Sequence, residues 1–126
     1  MTTEPAAAEP AAAEPAAAEA VFAALADPTR RLILDRLSRR GDASATVLAD
    51  ELPVTRQAVV KHLAVLDQAG LVTARRDGRE RRYRVRPAGL EATARWMDGI
   101  AAQWAARLST IKRLAERAER PERDPA

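Results

Sequence analysis

Apolar residues recur along this chain with two different periods, and the places where the period changes divide it into elements. Over residues 55–70, read as TRQAVVKHLAVLDQAG, Ala58, Val59, His62, Leu63, Val65, Leu66 and Ala69 fall on one arc of a helix. Arg56, Gln57, Val60, Lys61, Ala64 and Gln68 fall on the other. The pattern predicts an amphipathic helix with one wet face. Thr55 can cap it through its hydroxyl, Pro53 and Val54 break the chain before it, and Gly70 supplies the stop after it.

Upstream, Val21, Phe22 and Leu25 mark a small helix starting at Ala20, and Asp27-Pro28 supplies cap and first residue for another over 28–39. Leu32, Ile33, Leu34 and Leu37 are spread around that second helix, which implies burial on more than one side. Gly41 and Asp42 read as a break. A third helix follows over 46–52, capped by Ser44 or Thr46, with Leu48 and Leu52 inward. Two short helices joined at Pro53-Val54 make a helix-turn-helix.

After Gly70 the period becomes two. Segments 71–76 and 79–86 flank Asp77-Gly78, a strong hairpin signal, with Tyr83 and Val85 on one face and Arg82, Arg84 and Arg86 on the other. From 88 to 117 the helical period returns, for a length of about 45 Å at about 1.5 Å per residue. Leu90, Met97, Ile100, Ala101, Trp104, Leu108, Ile111, Ala115 and Ala118 form one stripe, widened by Trp96 and Leu114. Such a helix outreaches a core this small, so its apolar surface is expected to pair with a second copy. A pocket lined by Trp96, Met97 and Trp104 is the competing use of the stripe, although aromatic residues at helical spacing are more often packing.

Charge sharpens the picture. The chain has 126 residues and a net charge of +3, but the opening EPAAA repeat carries Glu4, Glu9, Glu14 and Glu19 and no base. The remainder therefore holds 21 basic against 14 acidic residues, a balance of +7 that favours a polyanion. Prolines and alanines predict a disordered tail over 1–19, a domain over 20–118 and a frayed end over 119–126. There is no cysteine, and His62 is the single histidine, expected to be structural on the inward arc. Metal sites, a cysteine nucleophile and paired catalytic groups cannot be assembled, so neither an enzyme nor a bound cofactor is expected. No apolar run is long enough to span a membrane and no secretory signal is present, which points to the cytoplasm.

Double-stranded DNA is the partner these residues suit. Arg and Gln can each grip a purine edge with two bonds, and an apolar side chain can meet a thymine methyl group, so Arg56, Gln57, Val60 and Lys61 are the candidate base contacts. From the helix alone an ordinary solvated face fits equally well. The hairpin tips the balance, since residues 71–86 hold seven arginines against Asp77 and Glu80. Thr55, Arg75, Arg76, Arg79, Arg82 and Arg84 are the candidates for backbone or minor-groove contact. Phe22, Leu25, Met97, Ile100, Trp104, Leu108 and Ile111 are the candidates for the dimer interface.

The expected fold is mostly α with a small β-hairpin wing: a winged helix-turn-helix, dimeric through its terminal helices. In FAALADPTRRLILDRL (22–37), TRQAVVKHLAVLDQAGLV (55–72), the wing RRDGRERRYRV (75–85) and the spacing of Trp96, Trp104 and Leu108, the chain resembles the ArsR family of transcriptional regulators. The resemblance implies a homodimeric repressor that binds an operator near its own promoter and leaves it on a signal. Two departures stand out. The third helix lacks the cysteines, and the terminal helix the histidines, through which many members sense metals, so the chain is similar to the non-metal branch. Val60 stands where the family often has Ser. No small-molecule effector is named by the resemblance. A dimeric protein-interaction module with only non-specific DNA affinity is the alternative function, which Val60 and the acidic tail allow.

Overall fold

The computed structural model describes residues 11–119. Its elements are α1 (Pro15–Leu25), α2 (Pro28–Arg40), β1 (Asp42–Ser44), α3 (Ala45–Glu51), α4 (Arg56–Gln68), β2 (Val72–Asp77), β3 (Glu80–Val85) and α5 (Pro87–Glu119). They form two compact units, one ending at Trp96 and one beginning at Met97, with α5 contributing to both.

Charge and capping join the first two helices. The Asp27 carboxylate accepts from the backbone N–H groups of Thr29 (2.7 Å) and Arg30 (3.2 Å), which begins α2. Arg30 and Arg31 then reach back to the end of α1. Arg30 donates to the carbonyls of Ala24 (2.6 Å) and Ala23 (3.0 Å), and Arg31 to that of Leu25 (2.6 Å). The last carbonyls of a helix lack the N–H of a following turn, the Ala26 N–H reaching only that of Ala23 at 3.3 Å, and the guanidinium groups satisfy them while complementing the negative end of the helix dipole. One short motif therefore stops one helix and starts the next.

α1 begins at Pro15 rather than at Ala20. A proline at the first helical position forfeits no hydrogen bond, and Ala18 is fully buried, so residues 15–19 belong to a helix and not to the expected tail. The Ala13 N–H also donates to the Ala92 carbonyl at 3.0 Å. At the other end α5 runs through Glu119. The remaining parts of the two expected tails, 1–10 and 120–126, lie outside the described residues.

The sheet has a strand that the periodicity did not announce. Its order is β1-β3-β2, antiparallel throughout, with Ala43 opposite Tyr83 and Tyr83 opposite Ala74. At three residues β1 is too short to show alternation, and Gly41-Asp42 reads locally as a break. The hairpin turn is also displaced by one residue. Asp77 pairs with Glu80, so Gly78 and Arg79 are central, and only Gly78 has a positive φ, +64°. A two-residue turn with its positive φ at the first position needs one glycine, whereas a turn centred on Asp77-Gly78 would also demand a left-handed Asp77.

The core sits where α2, α3 and α4 meet the base of this sheet. Ile33, Leu37, Leu48, Val59, Leu63, Leu66, Leu71 and Val72 are fully buried, and Tyr83 closes the cluster from β3. At about 1.5–3 kcal/mol for each large side chain, this burial is the main stabilising term. Two residues expected inside are not: Leu32 is 40% exposed, on the side of α2 away from the buried Ile33, Leu34 and Leu37, and Val65 is 38% exposed, at the margin of the buried arc of α4.

Space is tightest where α5 begins. A Cβ at Gly89 would lie 2.5 Å from the Gly70 carbonyl oxygen, which is backbone and cannot swing aside. Next to it the Thr93 side chain is buried and donates to the Gly89 carbonyl at 2.9 Å. Gly89→Ala is therefore expected to destabilise the protein by about 1–3 kcal/mol, as overpacking does. Urea unfolding followed by far-UV circular dichroism measures this; an unchanged midpoint would show that the contact relaxes freely.

Candidate nucleic-acid interface

The site is built on α4, whose rotation about its own axis is fixed from below. Val59, Leu63 and Leu66 have no exposed surface, and they anchor the helix at two-turn spacing on the core. Thr55 caps the N-terminus by accepting from the Ala58 N–H at 3.1 Å. With that face down, Thr55, Arg56, Gln57, Val60 and Lys61 are all exposed along the first turns. Val60 is 39% exposed, an apolar side chain among polar ones. His62 lies half-buried on the inner side, as expected, with its charge acting on Asp27.

The wing is fixed by a carboxylate from the unforeseen strand. Asp42 accepts from Arg82 Nη2 at 2.8 Å and Nε at 3.2 Å, and from Arg75 Nη2 at 3.0 Å. All three strands of the sheet are thereby tied on one face. Arg82 also lies 3.6 Å from Glu80. The hydrogen bonds from Arg82 and Arg75 hold the Asp42 carboxyl below its ordinary range, and the same pairing raises the Arg82 guanidinium. Of the arginines singled out in the sequence, Arg75 and Arg82 are thus engaged within the sheet, while Arg76, Arg79 and Arg84 are exposed and form no ion pair among the described residues.

Between wing and helix runs a groove of about 340 Å³ lined by Thr46, Arg56, Val60, Arg79, Glu80, Arg81 and Tyr83, with Ser44 and Ala45 at its floor. Two of these residues were missed in the sequence. Arg81 shares the face of β3 with Tyr83, and the alternation that sends Tyr83 into the core sends Arg81, further towards the tip, into the groove. Thr46 is exposed on the first turn of α3 and accepts from Arg56 Nε at 3.1 Å. Its local sequence offers it only as an alternative to Ser44 for the cap of α3, a role that Ser44 fills, and its contact with Arg56 depends on the next helix. A second concavity, about 440 Å³, is lined by Ala74, Arg75, Arg76, Arg79, Glu80 and Arg81.

The expected dimer residues fall into two sets. Phe22 meets Trp96 of its own chain in a tilted ring contact, with centroids 5.6 Å apart, and Leu25 packs against the core. Met97, Trp104, Leu108 and Ile111 are 51–60% exposed along α5 and Ile100 is half-buried; Leu114, which widens the stripe, is 58% exposed. The Arg107 guanidinium sits over the Trp104 ring at 5.4 Å. Among the described residues no cluster of three or more His, Cys, Asp or Glu side chains is placed to hold a metal ion, and no helix is long and apolar enough to cross a membrane.

Residues 25–75 match a family model described as a helix-turn-helix domain. The uncharacterized HTH-type transcriptional regulator YuzN of Bacillus subtilis is 50% identical over 68 residues, spanning 49% of this chain and 74% of that protein. The transcriptional repressor SdpR of the same organism is 35% identical over 77 residues, 61% of this chain and 84% of SdpR. A solved ArsR-like transcriptional regulator from Rhodococcus sp. RHA1 superposes with a TM-score of 0.75 at 50% identity, covering 79% of this chain and 93% of that one.

The carboxylates of Asp27 and Asp42 give the contacts they make a defined acid limb. Burial pushes the Asp27 carboxyl up, but the N–H groups of Arg30 and Thr29 and the charges of His62 and Arg30 outweigh it, so Asp27, like Asp42, lies below the ordinary 3.8. A folded-state value below the unfolded one contributes stability that is fully present above 3.8 and is lost as pH falls through the folded value. Asp42→Asn should accordingly lower the urea midpoint at about pH 6, and the gap to the parent should narrow at about pH 3. A gap of equal size at both would assign the contact no ionic share.

Proposed function

The chain belongs to the ArsR family of winged helix-turn-helix transcriptional regulators, and from that premise we propose that it is a homodimeric, autoregulatory repressor that binds an inverted-repeat operator and responds to no metal. The observation that carries this reading is the pairing, across one groove, of the exposed first turns of α4 with an arginine wing held rigid by Asp42. Helix α4 enters the major groove, with Arg56, Gln57 and Lys61 meeting base edges and Val60 a thymine methyl group. Arg75, Arg76, Arg79, Arg81 and Arg84 neutralise phosphates and the Thr55 hydroxyl donates to one, with Arg79 at the turn the residue best placed for a minor groove. Arg82 serves the same end by holding the wing in place.

Dimerisation is supported by the exposed stripe on α5. Five large apolar side chains more than half exposed on one helix suit burial against a second copy, at about 1.5–3 kcal/mol each if fully covered. Two-fold symmetry then places half-sites about 34–36 Å apart. Metal independence is supported by the absence of cysteine and the single histidine in the sequence.

Fluorescence anisotropy against the chain's own upstream DNA and a scrambled duplex, over a salt series, tests the reading. Tight, salt-sensitive binding that favours the native duplex by about a thousandfold is expected; equal, weak binding to every candidate operator would sink it. Arg56→Ala or Gln57→Ala should cost about 1–3 kcal/mol and relax the preference at one base pair. Arg79→Ala or Arg84→Ala should weaken all sequences alike and flatten the salt dependence. Leu108→Glu should shift the protein to monomer in sedimentation equilibrium and weaken operator binding with it. A dimer that survives this change places the interface elsewhere.

A further inference from the structure

We propose that Thr46 is a positioning residue that determines how Arg56 presents its guanidinium to DNA, and so helps set the base preference of a helix to which it does not belong. The inference rests on the proposed role of Arg56 in base readout. It starts from one contact: Arg56 Nε donates to Thr46 Oγ1 at 3.1 Å, joining the first turn of α4 to the first turn of α3.

Both ends of the contact are held by backbone. Ser44 caps α3 by accepting from the Val47 N–H at 3.2 Å, and Ala45 is buried, which fixes the Cα of Thr46 between them. The linker is closed by Leu52 N–H to the Leu48 carbonyl (3.0 Å) and Val54 N–H to the Leu52 carbonyl (2.8 Å), and Thr55 caps α4. Thr46 is β-branched, so few rotamers are open to its hydroxyl. The flexible partner is the arginine, and the threonine is what restrains it.

The chemistry of guanidinium makes the restraint selective. Arginine can grip a purine edge with a side-on fork, using Nε and one Nη, or with an end-on fork, using both Nη groups. A bond from Nε to Thr46 occupies the donor that the side-on fork requires. The Nη pair is left to meet O6 and N7 of guanine together. Competition for it inside the groove is low: the one carboxylate lining that groove, Glu80, lies 3.6 Å from Arg82, and the other nearby charges, Arg79 and Arg81, are cationic. Thr46 therefore reduces the orientational freedom that Arg56 loses on binding.

The test compares Thr46→Val, which keeps the shape and removes the acceptor, with Thr46→Ser, which restores it, using the full-length protein and a panel of operator duplexes varied at each position. Thr46→Val should reduce discrimination by about two- to tenfold, the cost of ordering one long side chain, at the same base pair that Arg56→Ala relaxes. Thr46→Ser should rescue it, and Thr46→Val should add nothing in an Arg56→Ala background. An equal loss on every duplex, or an additive loss in the double variant, would overturn the proposal and make Thr46 a phosphate contact of its own. Unchanged discrimination in Thr46→Val would also overturn it. If Arg56→Ala itself leaves every preference intact, the readout assigned to Arg56 has failed, and the positioning role fails with it.

Discussion

What α4 offers on its exposed face depends on the rotational setting of that helix, and that setting is a matter of burial. Val59, Leu63 and Leu66 are sealed in the core, so α4 cannot turn about its axis without exposing two leucines and a valine. Successive residues on a helix differ by about 100°. A slip of one position would carry Gln57 and Lys61 from the wet face towards its margin and bring His62 outward. The polar residues of the first turns are thus aimed by apolar ones two and three turns along, and Thr55 adds the cap that closes the first turn.

The wing is aimed by different physics. Two strands joined by a two-residue turn are marginal alone, and the hairpin carries too many like charges to settle unaided. Tyr83 anchors its base in the core, and Asp42 ties its outer face through Arg82 and Arg75. A single carboxylate from β1 thereby converts part of the arginine excess from a source of repulsion into a brace. Arg76, Arg79, Arg81 and Arg84 keep their exposure. Helix and wing then face one another across a groove whose width is set by two independent anchors, one apolar and one ionic.

The compact placement of these anchors leaves little slack elsewhere. Gly70 ends the segment that leaves α4, and the same residue's carbonyl lies against Gly89 at the start of α5. Arg30 and Arg31 stop α1 where Asp27 starts α2, so helix ends here are satisfied by the neighbouring element and not by solvent. Such reciprocal capping shortens the connections and holds the first unit together with a modest core.

Residues whose partners lie within a turn or two were legible in the sequence. The cap at Thr55, the burial of Val59, Leu63 and Leu66, the Asp27-Pro28 start of α2 and the alternation around Tyr83 all follow from local periodicity and capping chemistry, as does the family resemblance that rests on them. What the sequence left open depends on contacts between residues far apart in the chain. Strand β1 exists because β3 offers it a partner. Arg82 faces Asp42, and Arg56 faces Thr46, because folding places them there, whereas strand alternation and helical period assign each side chain only to a face. Pro15 and Ala18 belong to a helix because packing overrides a composition that suggests a tail. Periodicity fixes which side of an element is buried; only the assembled core decides which polar group meets which.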